Sequence, residues 1–171
     1  MNRYVALLRA VNVGGTGKLP MPVLVRMCEA AGFERVKTYI ASGNVVFRSE
    51  NREDQVRSVL QDQLREYSGR DVGVVVRTGD EIVDTIARNP FIGAPSNRIM
   101  VLFVDGLLPV DPLDGVTGIK DEQVRLGRRE LFVFYPEGMA NTRLRIPGGK
   151  KGTARNMNTV AKLAEMVAAL A

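Results

Sequence analysis

Two glycine-lysine segments contain the residues best suited to binding chemistry. The first, VGGTGK, runs from Val13 to Lys18, and the second, PGGKKGT, runs from Pro147 to Thr153. Glycines let backbone amides approach an anion closely, and lysine adds a full positive charge. Each segment therefore has the parts of a phosphate or carboxylate cradle, although glycines of this kind also form ordinary turns.

Neighbouring residues refine this interpretation. The first segment is not a nucleotide-binding P-loop, because Asn12 stands where that motif needs glycine and Leu19 stands where it needs serine or threonine. In the second segment, Thr153 is expected to cap the last helix. Arg155 and Asn156 would then project from the first turn of that helix.

The composition excludes several kinds of catalysis. The 171 residues include no His and a single Cys, Cys28, which is expected to be a small buried hydrophobe. A Ser-His or Cys-His pair, an imidazole metal ligand and an intrachain disulfide are therefore excluded. Whether the protein is an enzyme stays open at this stage, and neither a metal nor another cofactor is expected.

The positive charge is concentrated near the end of the chain. The net charge is +5 at pH 7. No acidic residue lies between Glu137 and Glu165, whereas that stretch is rich in lysine and arginine, including Lys150 and Lys151. Since such a stretch costs self-repulsion, it indicates an anionic partner, unless it is simply a solvated loop.

Apolar periodicity predicts the elements that would position the first loop. Strands are expected at 3–9, 36–40, 45–48 and 72–76, and amphipathic helices at 20–31 and 52–67. Tyr67 is the last residue in the apolar stripe of the second helix. The order strand, helix, strand, strand, helix, strand predicts a ferredoxin-like, split βαβ N-terminal domain, expected over residues 1–90.

Residues 91–171 are predicted to form a smaller α+β subdomain packed against the first, which makes the whole chain α+β. The pattern indicates a strand at 99–104, a hairpin from 123–126 and 131–135, and an almost wholly apolar helix at 154–170. A cytoplasmic protein without a membrane partner is expected, because the sequence has neither a long apolar run nor a signal peptide.

Three segments together resemble one bacterial family, domain of unknown function 1697. They are Ala6–Met21, Thr38–Phe47 and Thr153–Leu163. The resemblance implies an α+β fold with a ferredoxin-like first part and a smaller second part, and it implies no established activity. It also shows two departures: Ala10 stands where relatives usually have glycine, and Met157 stands where they usually have tryptophan.

The polar residues of these loops and motifs are predicted to bind a phosphate-bearing or other anionic ligand, with nucleic acid as one candidate. The candidate ligand-binding residues are Arg9, Asn12, Gly14, Gly15, Lys18, Ser42, Asn44, Lys150, Lys151, Thr153, Arg155 and Asn156. A single site would require Lys18 and Arg155 to converge on one cleft.

Two other functions stay open. One is a small-molecule enzyme or binder acting on a phosphorylated or carboxylated ligand. The other is an interaction protein that forms a homo-oligomer through the apolar last helix.

Overall fold

Two four-stranded antiparallel sheets and four α-helices make up the part of the chain that the structure, a computed structural model, describes. The described residues are 1–14 and 17–171, so the candidate residue Gly15 lies outside them. The α+β class is as expected from the sequence. By contacts the chain divides into two units, Met1–Val83 with Leu163–Ala171, and Asp84–Lys162. The domain boundary expected at residue 90 stays a prediction.

The first unit has the predicted order of elements. These are β1 (Asn2–Leu8), α1 (Met21–Ala30), β2 (Glu34–Tyr39), β3 (Asn44–Ser49), α2 (Glu53–Ser68) and β4 (Val74–Thr78). The strands lie in the order β2-β3-β1-β4, and each neighbouring pair is antiparallel.

Strand β1 is the centre of this unit because both of its faces are buried. The alternating side chains of Ala6 and Leu8 belong to the main apolar cluster, together with residues of α1 and α2. Cys28 of α1 lies in that cluster, as expected. Burial, and secondarily the charge of Glu29, raises the pKa of the Cys28 thiol to about 12, so it is an inert thiol at neutral pH.

The end of the chain is tied to the same unit by two arginines. Arg3 and Arg48 are directly opposite each other on β1 and β3. Arg3 donates a hydrogen bond to the carbonyl of Ala168, and Arg48 donates one to the carbonyl of Ala171. The contact of Arg3 is favourable because Ala168 is the last residue of a helix, whose final carbonyls lack partners within the helix.

The second sheet has the strand order β6-β7-β5-β8. The remaining elements are α3 (Gly79–Ala87), β5 (Ile99–Phe103), β6 (Gln123–Leu126), β7 (Glu130–Phe134), β8 (Thr153–Asn156) and α4 (Met157–Ala168). The predicted hairpin is the β6–β7 pair. Helices α3 and α4 each contribute residues to both units.

The prediction for the start of the last helix was wrong. The residues 153–156 form strand β8, which pairs with β5, and α4 begins only at Met157. Thr153 therefore caps no helix; instead, Asn156 Oδ1 accepts the backbone N–H of Thr159 at 2.9 Å. The segment forms a strand because pairing with β5 supplies backbone hydrogen bonds. No local pattern in this segment indicates that pairing.

The apolar stripe of α4 is covered by the chain itself. Val160, Leu163 and Val167, with Leu170 just after the helix, are buried, and Met166 is half-buried, whereas Ala161, on another face of the helix, is exposed. This stripe was the reason to expect dimerisation through α4. Because most of it is buried, it offers little surface for dimerisation, which stays a prediction.

Glu122 connects two loops of the second unit. Its carboxylate accepts the backbone N–H of Lys120 at 2.7 Å and the hydroxyl of Thr142 at 2.7 Å. These two hydrogen bonds, the backbone one first, lower the pKa of Glu122 from its ordinary value of 4.5 to about 2.

This pKa predicts an acid-dependent loss of stability. A carboxylate with a lowered folded-state pKa stabilises the fold above pH 4.5, and that contribution disappears as the pH falls towards 2. Glu122→Gln should therefore be less stable than the wild type at pH 6, with the difference shrinking on acidification. Urea unfolding at a series of pH values measures this. A difference that stays constant from pH 6 to the acid limit would contradict the prediction.

Candidate functional site

Three loops of the first unit lie side by side at one end of its sheet. Leu8, at the end of β1, donates its backbone N–H to the carbonyl of Gly43 at 2.8 Å. The next residue, Arg9, donates its N–H to the carbonyl of Gly73 at 2.9 Å. We call this end of the sheet the loop edge, and its described residues are 9–14, 17–20, 40–44 and 69–73.

Asn12 ties two of these loops together. Its side-chain amide donates to the carbonyl of Leu19 at 2.8 Å and to that of Ala41 at 2.7 Å, and its Oδ1 accepts the N–H of Leu19 at 2.7 Å. Both amide hydrogens are thus used within the protein. Asn12 therefore shapes the loop edge, and any ligand would find only the remaining lone pair of its oxygen.

The Ser42-Gly43-Asn44 turn has an internal role as well. Asn44 is fully buried, and its amide donates to the carbonyl of Tyr39 at 2.9 Å and to the hydroxyl of Ser42 at 3.0 Å. These contacts explain why the turn has an amide side chain at position 44 and a hydroxyl at position 42. The predicted binding roles of Ser42 and Asn44 stay predictions.

Backbone strain is concentrated at the loop edge. Among the described residues, four that are not glycine have positive φ, and three of them lie here: Ala10 at 53°, Asn12 at 54° and Ile40 at 48°. Such conformations cost energy in L-residues, and they cluster where the surrounding structure imposes a particular loop shape. The φ of Ala10 explains why a glycine would suit this position.

Three cationic side chains of the loop edge have no acidic partner. Arg9, Lys18 and Arg70 are exposed, and within the described residues none of their charged groups makes a hydrogen bond or ion pair. The guanidinium of Arg70 lies against the backbone of Gly17: a Cβ placed on that glycine would be 3.2 Å from its Nη2. Lys18 follows directly, so these two cations share one wall of the loop edge.

The acidic residue closest in sequence to Arg70 is already neutralised. Asp71 Oδ1 forms an ion pair with Nε of Arg65, at 2.6 Å. Because Asp71 is engaged in this way, the positive charge of Arg70 and Lys18 is available to a ligand.

A small cavity of about 20 Å³ lies between these cations and helix α2. Its lining residues are Val11, Gly17, Lys18, Leu19, Leu64, Tyr67, Ser68, Arg70 and Val72. The volume is too small to enclose a phosphate, so an anion would lie at the rim, against the exposed groups of Lys18 and Arg70. Sequence reasoning missed Arg70, whose signal was the Ser-Gly-Arg turn that follows a predicted helix.

Another cavity of the first unit, of about 360 Å³, lies at the other end of the sheet and is a weaker candidate. It is lined by residues at the start of β1, the end of β4 and the start of α3, with Val167 and Ala168. Its cationic groups are engaged, since Arg3 binds the carbonyl of Ala168 and the N-terminal amine lies 3.7 Å from Glu50.

The second glycine-lysine segment differs from the cradle expected for it. Lys150 and Lys151 are exposed, but a Cβ on Gly149 would overlap Leu102, and one on Gly152 would overlap the carbonyl of Phe103. These glycines are therefore needed for close packing against β5. The segment leads into a strand and has no helix N-terminus behind it.

Arg155 lies in the sheet, and its side chain is turned to internal partners. It is 7% exposed and donates to the hydroxyl of Thr153 at 2.7 Å and the carbonyl of Ala154 at 2.9 Å. Burial lowers the pKa of its guanidinium to about 10. Lys18 and Arg155 belong to different units, so their convergence on one cleft stays a prediction.

Neither a metal-binding cluster nor a membrane-spanning helix is found among the described residues. No group of three or more His, Cys, Asp or Glu side chains could hold a metal ion. None of the helices in residues 1–14 and 17–171 is both long and apolar enough to cross a membrane.

Comparison with known proteins gives a family and a fold. A family model described as "Protein of unknown function (DUF1697)" matches residues 1–132. A solved structure of conserved bacterial protein SP0830 from Streptococcus pneumoniae is similar, with a TM-score of 0.81 and 26% identity. The similarity covers 97% of this chain and 98% of that one. No curated protein matches the chain.

Proposed function

The chain belongs to the DUF1697 family, which has no assigned activity, and we propose that it binds phosphate-bearing ligands at the loop edge of its first unit. The proposal includes a ferredoxin-like, split βαβ arrangement for that unit, since its six elements follow in the order of this motif. In such an arrangement the loop after β1 and the loop before β4 come from distant parts of the sequence, and together they supply the cations.

One observation carries the proposal: Lys18 and Arg70 line one cavity without an acidic partner among the described residues. Two like charges held side by side repel each other and contribute nothing to folding, so an anion between them would be favourable. Arginine offers paired N–H donors that match two phosphate oxygens, and lysine adds a point charge.

Binding without catalysis fits the chemistry of this cavity. Its described lining contains no carboxylate, and the chain has no His. The hydroxyl of Ser68 donates to the carbonyl of Leu64 at 2.7 Å, so it is engaged as well. General acid–base catalysis is most often carried out by His, Asp or Glu, and the described lining contains none of these residue types.

The proposal predicts that Lys18→Ala with Arg70→Ala weakens phosphate binding by at least about tenfold, since each charge-assisted hydrogen bond contributes about 1.5–3 kcal/mol. Calorimetric titration with pyrophosphate and fluorescence anisotropy with a labelled single-stranded oligonucleotide measure the effect. Lys37→Ala is the matched control, because it removes one exposed cation from β2 that does not line the cavity of Lys18 and Arg70.

The two probes distinguish a small ligand from a polymer. A nucleic-acid ligand should bind with an affinity that falls steeply with salt, because neutralised phosphates release counterions. A small phosphate ligand should bind tightly as pyrophosphate and no more tightly as part of an oligonucleotide. If neither probe binds at low salt, or if the control weakens binding as much as the double variant, the proposal is wrong.

A further inference from the structure

Tyr67 is an exposed aromatic residue beside the proposed phosphate site. It lies on the last turn of α2, is 49% exposed and lines the same cavity as Lys18 and Arg70. The sequence pattern placed it on the buried stripe of the helix, yet its ring has no aromatic, cationic or hydrogen-bonding partner among the described residues. Exposed aromatic rings without a packing role are typical of binding surfaces.

A second, larger space begins on the other side of Tyr67. This groove between α1 and α2 has a volume of about 350 Å³, which is within the range of small-molecule sites. Its lining residues are Val23, Arg26, Met27, Ala30, Gln63, Glu66 and Tyr67. Tyr67 therefore belongs to both spaces, with the unpaired cations on one side and a half-apolar groove on the other.

The groove has the chemistry of a site for a flat, polar ring. Val23, Met27 and Ala30 supply apolar surface, and Gln63 and Glu66 supply hydrogen-bond acceptors and a donor at its edge. Planar heterocycles need both features, because their faces are apolar and their edges carry donors and acceptors. Inorganic phosphate or a simple sugar phosphate would leave this surface unused.

We propose that the ligand of this site is a nucleoside phosphate, with its base against Tyr67 in the α1–α2 groove and its phosphate at Lys18 and Arg70. This inference rests on the proposed phosphate site and names the class of compound that the site binds. Both parts of the ligand are accounted for by neighbouring surfaces of one unit: a charged rim for the phosphate and an aromatic, half-apolar groove for the base.

The test compares ligands with and without a base. Adenosine and uridine monophosphates, ribose 5-phosphate and inorganic phosphate are titrated calorimetrically into the full chain and into Tyr67→Ala and Tyr67→Phe variants. We expect nucleotides to bind at least about tenfold more tightly than ribose 5-phosphate, and Tyr67→Ala to remove that advantage, since stacking on an aromatic side chain supplies an effect of this size. Tyr67→Phe retains the aromatic ring and should therefore retain the preference for nucleotides over ribose 5-phosphate.

Each outcome has a clear consequence. If ribose 5-phosphate binds as tightly as the nucleotides, or if Tyr67→Ala weakens inorganic phosphate as much as nucleotides, the base-binding groove is wrong while the phosphate site stands. If no phosphate compound binds, or if Lys18→Ala with Arg70→Ala leaves nucleotide binding unchanged, the phosphate site itself is wrong and this inference falls with it.

Discussion

Replacing Glu130 with alanine is expected to destabilise the protein by about 3 kcal/mol, because it removes a buried carboxylate and leaves its hydrogen-bond donors without their acceptor. The Glu130 side chain is 3% exposed and accepts a hydrogen bond from Nη2 of Arg88 at 2.7 Å. It also accepts the backbone N–H groups of Arg128 and Arg129, at 3.2 and 3.1 Å, in the turn between β6 and β7. One carboxylate thus joins a hairpin turn to Arg88, which directly follows α3 and also pairs with Asp84 at 2.8 Å.

Chemical denaturation of the variant measures this effect. Glu50→Ala is the matched control, because Glu50 also belongs to an ion pair, but its side chain is 75% exposed and 3.7 Å from its partner. Removing an exposed pair of this kind should cost less than about 1 kcal/mol. Equal losses in the two variants would show that the burial of Glu130 has no energetic importance.

Gly43→Ala is expected to cost about 3 kcal/mol, from a strained backbone and from overpacking in the core. Gly43 has a φ of +89°, which L-residues rarely adopt. A Cβ there would lie 2.7 Å from Cγ2 of Val11 and 2.8 Å from Cβ of Leu8, and both of these side chains are buried. Because Leu8 and Val11 flank the start of the loop edge, the variant should also weaken phosphate binding.

Two further glycines separate strain from packing. Gly32 and Gly69 have φ values of +84° and +73°, and a Cβ on either would meet nothing within 4 Å. Alanine at these positions should cost only the backbone strain, about 1–2 kcal/mol. The excess loss in Gly43→Ala therefore measures the clash. If all three variants lose the same stability in urea, the contact with Leu8 and Val11 is not tight.

The periodicity of the first unit was sufficient to predict its order of strands and helices. Leu24 and Cys28 of α1, and Val56, Leu60 and Leu64 of α2, recur at helical spacing, and all of them are buried. This pattern is local, since a helix buries the side chains that its own geometry places on one face. The candidate residue Lys18 was found from the glycine-lysine segment between two predicted elements, whereas Arg9 and Asn12 were found from the resemblance to the family.

The second unit was less predictable at its candidate ligand-binding residues. Thr153 and Arg155 fit the pattern of a helix start, whereas they lie on a strand opposite β5. That strand is far away in the sequence, so local propensity contains no information about the pairing. The same distance hid Arg70, which contacts Gly17 across the loop edge.

The sequence alone determined the α+β class, the order of elements in the first unit and the excess of basic groups, since these depend on composition and on periods of a few residues. Tertiary structure alone decided which cations stay unpaired. It turned Arg155 towards Thr153 inside a sheet and left Lys18 and Arg70 exposed on one wall beside Tyr67. The physical reason is that a side chain's partners come from strands and loops distant in the sequence, and only folding brings them within hydrogen-bonding distance.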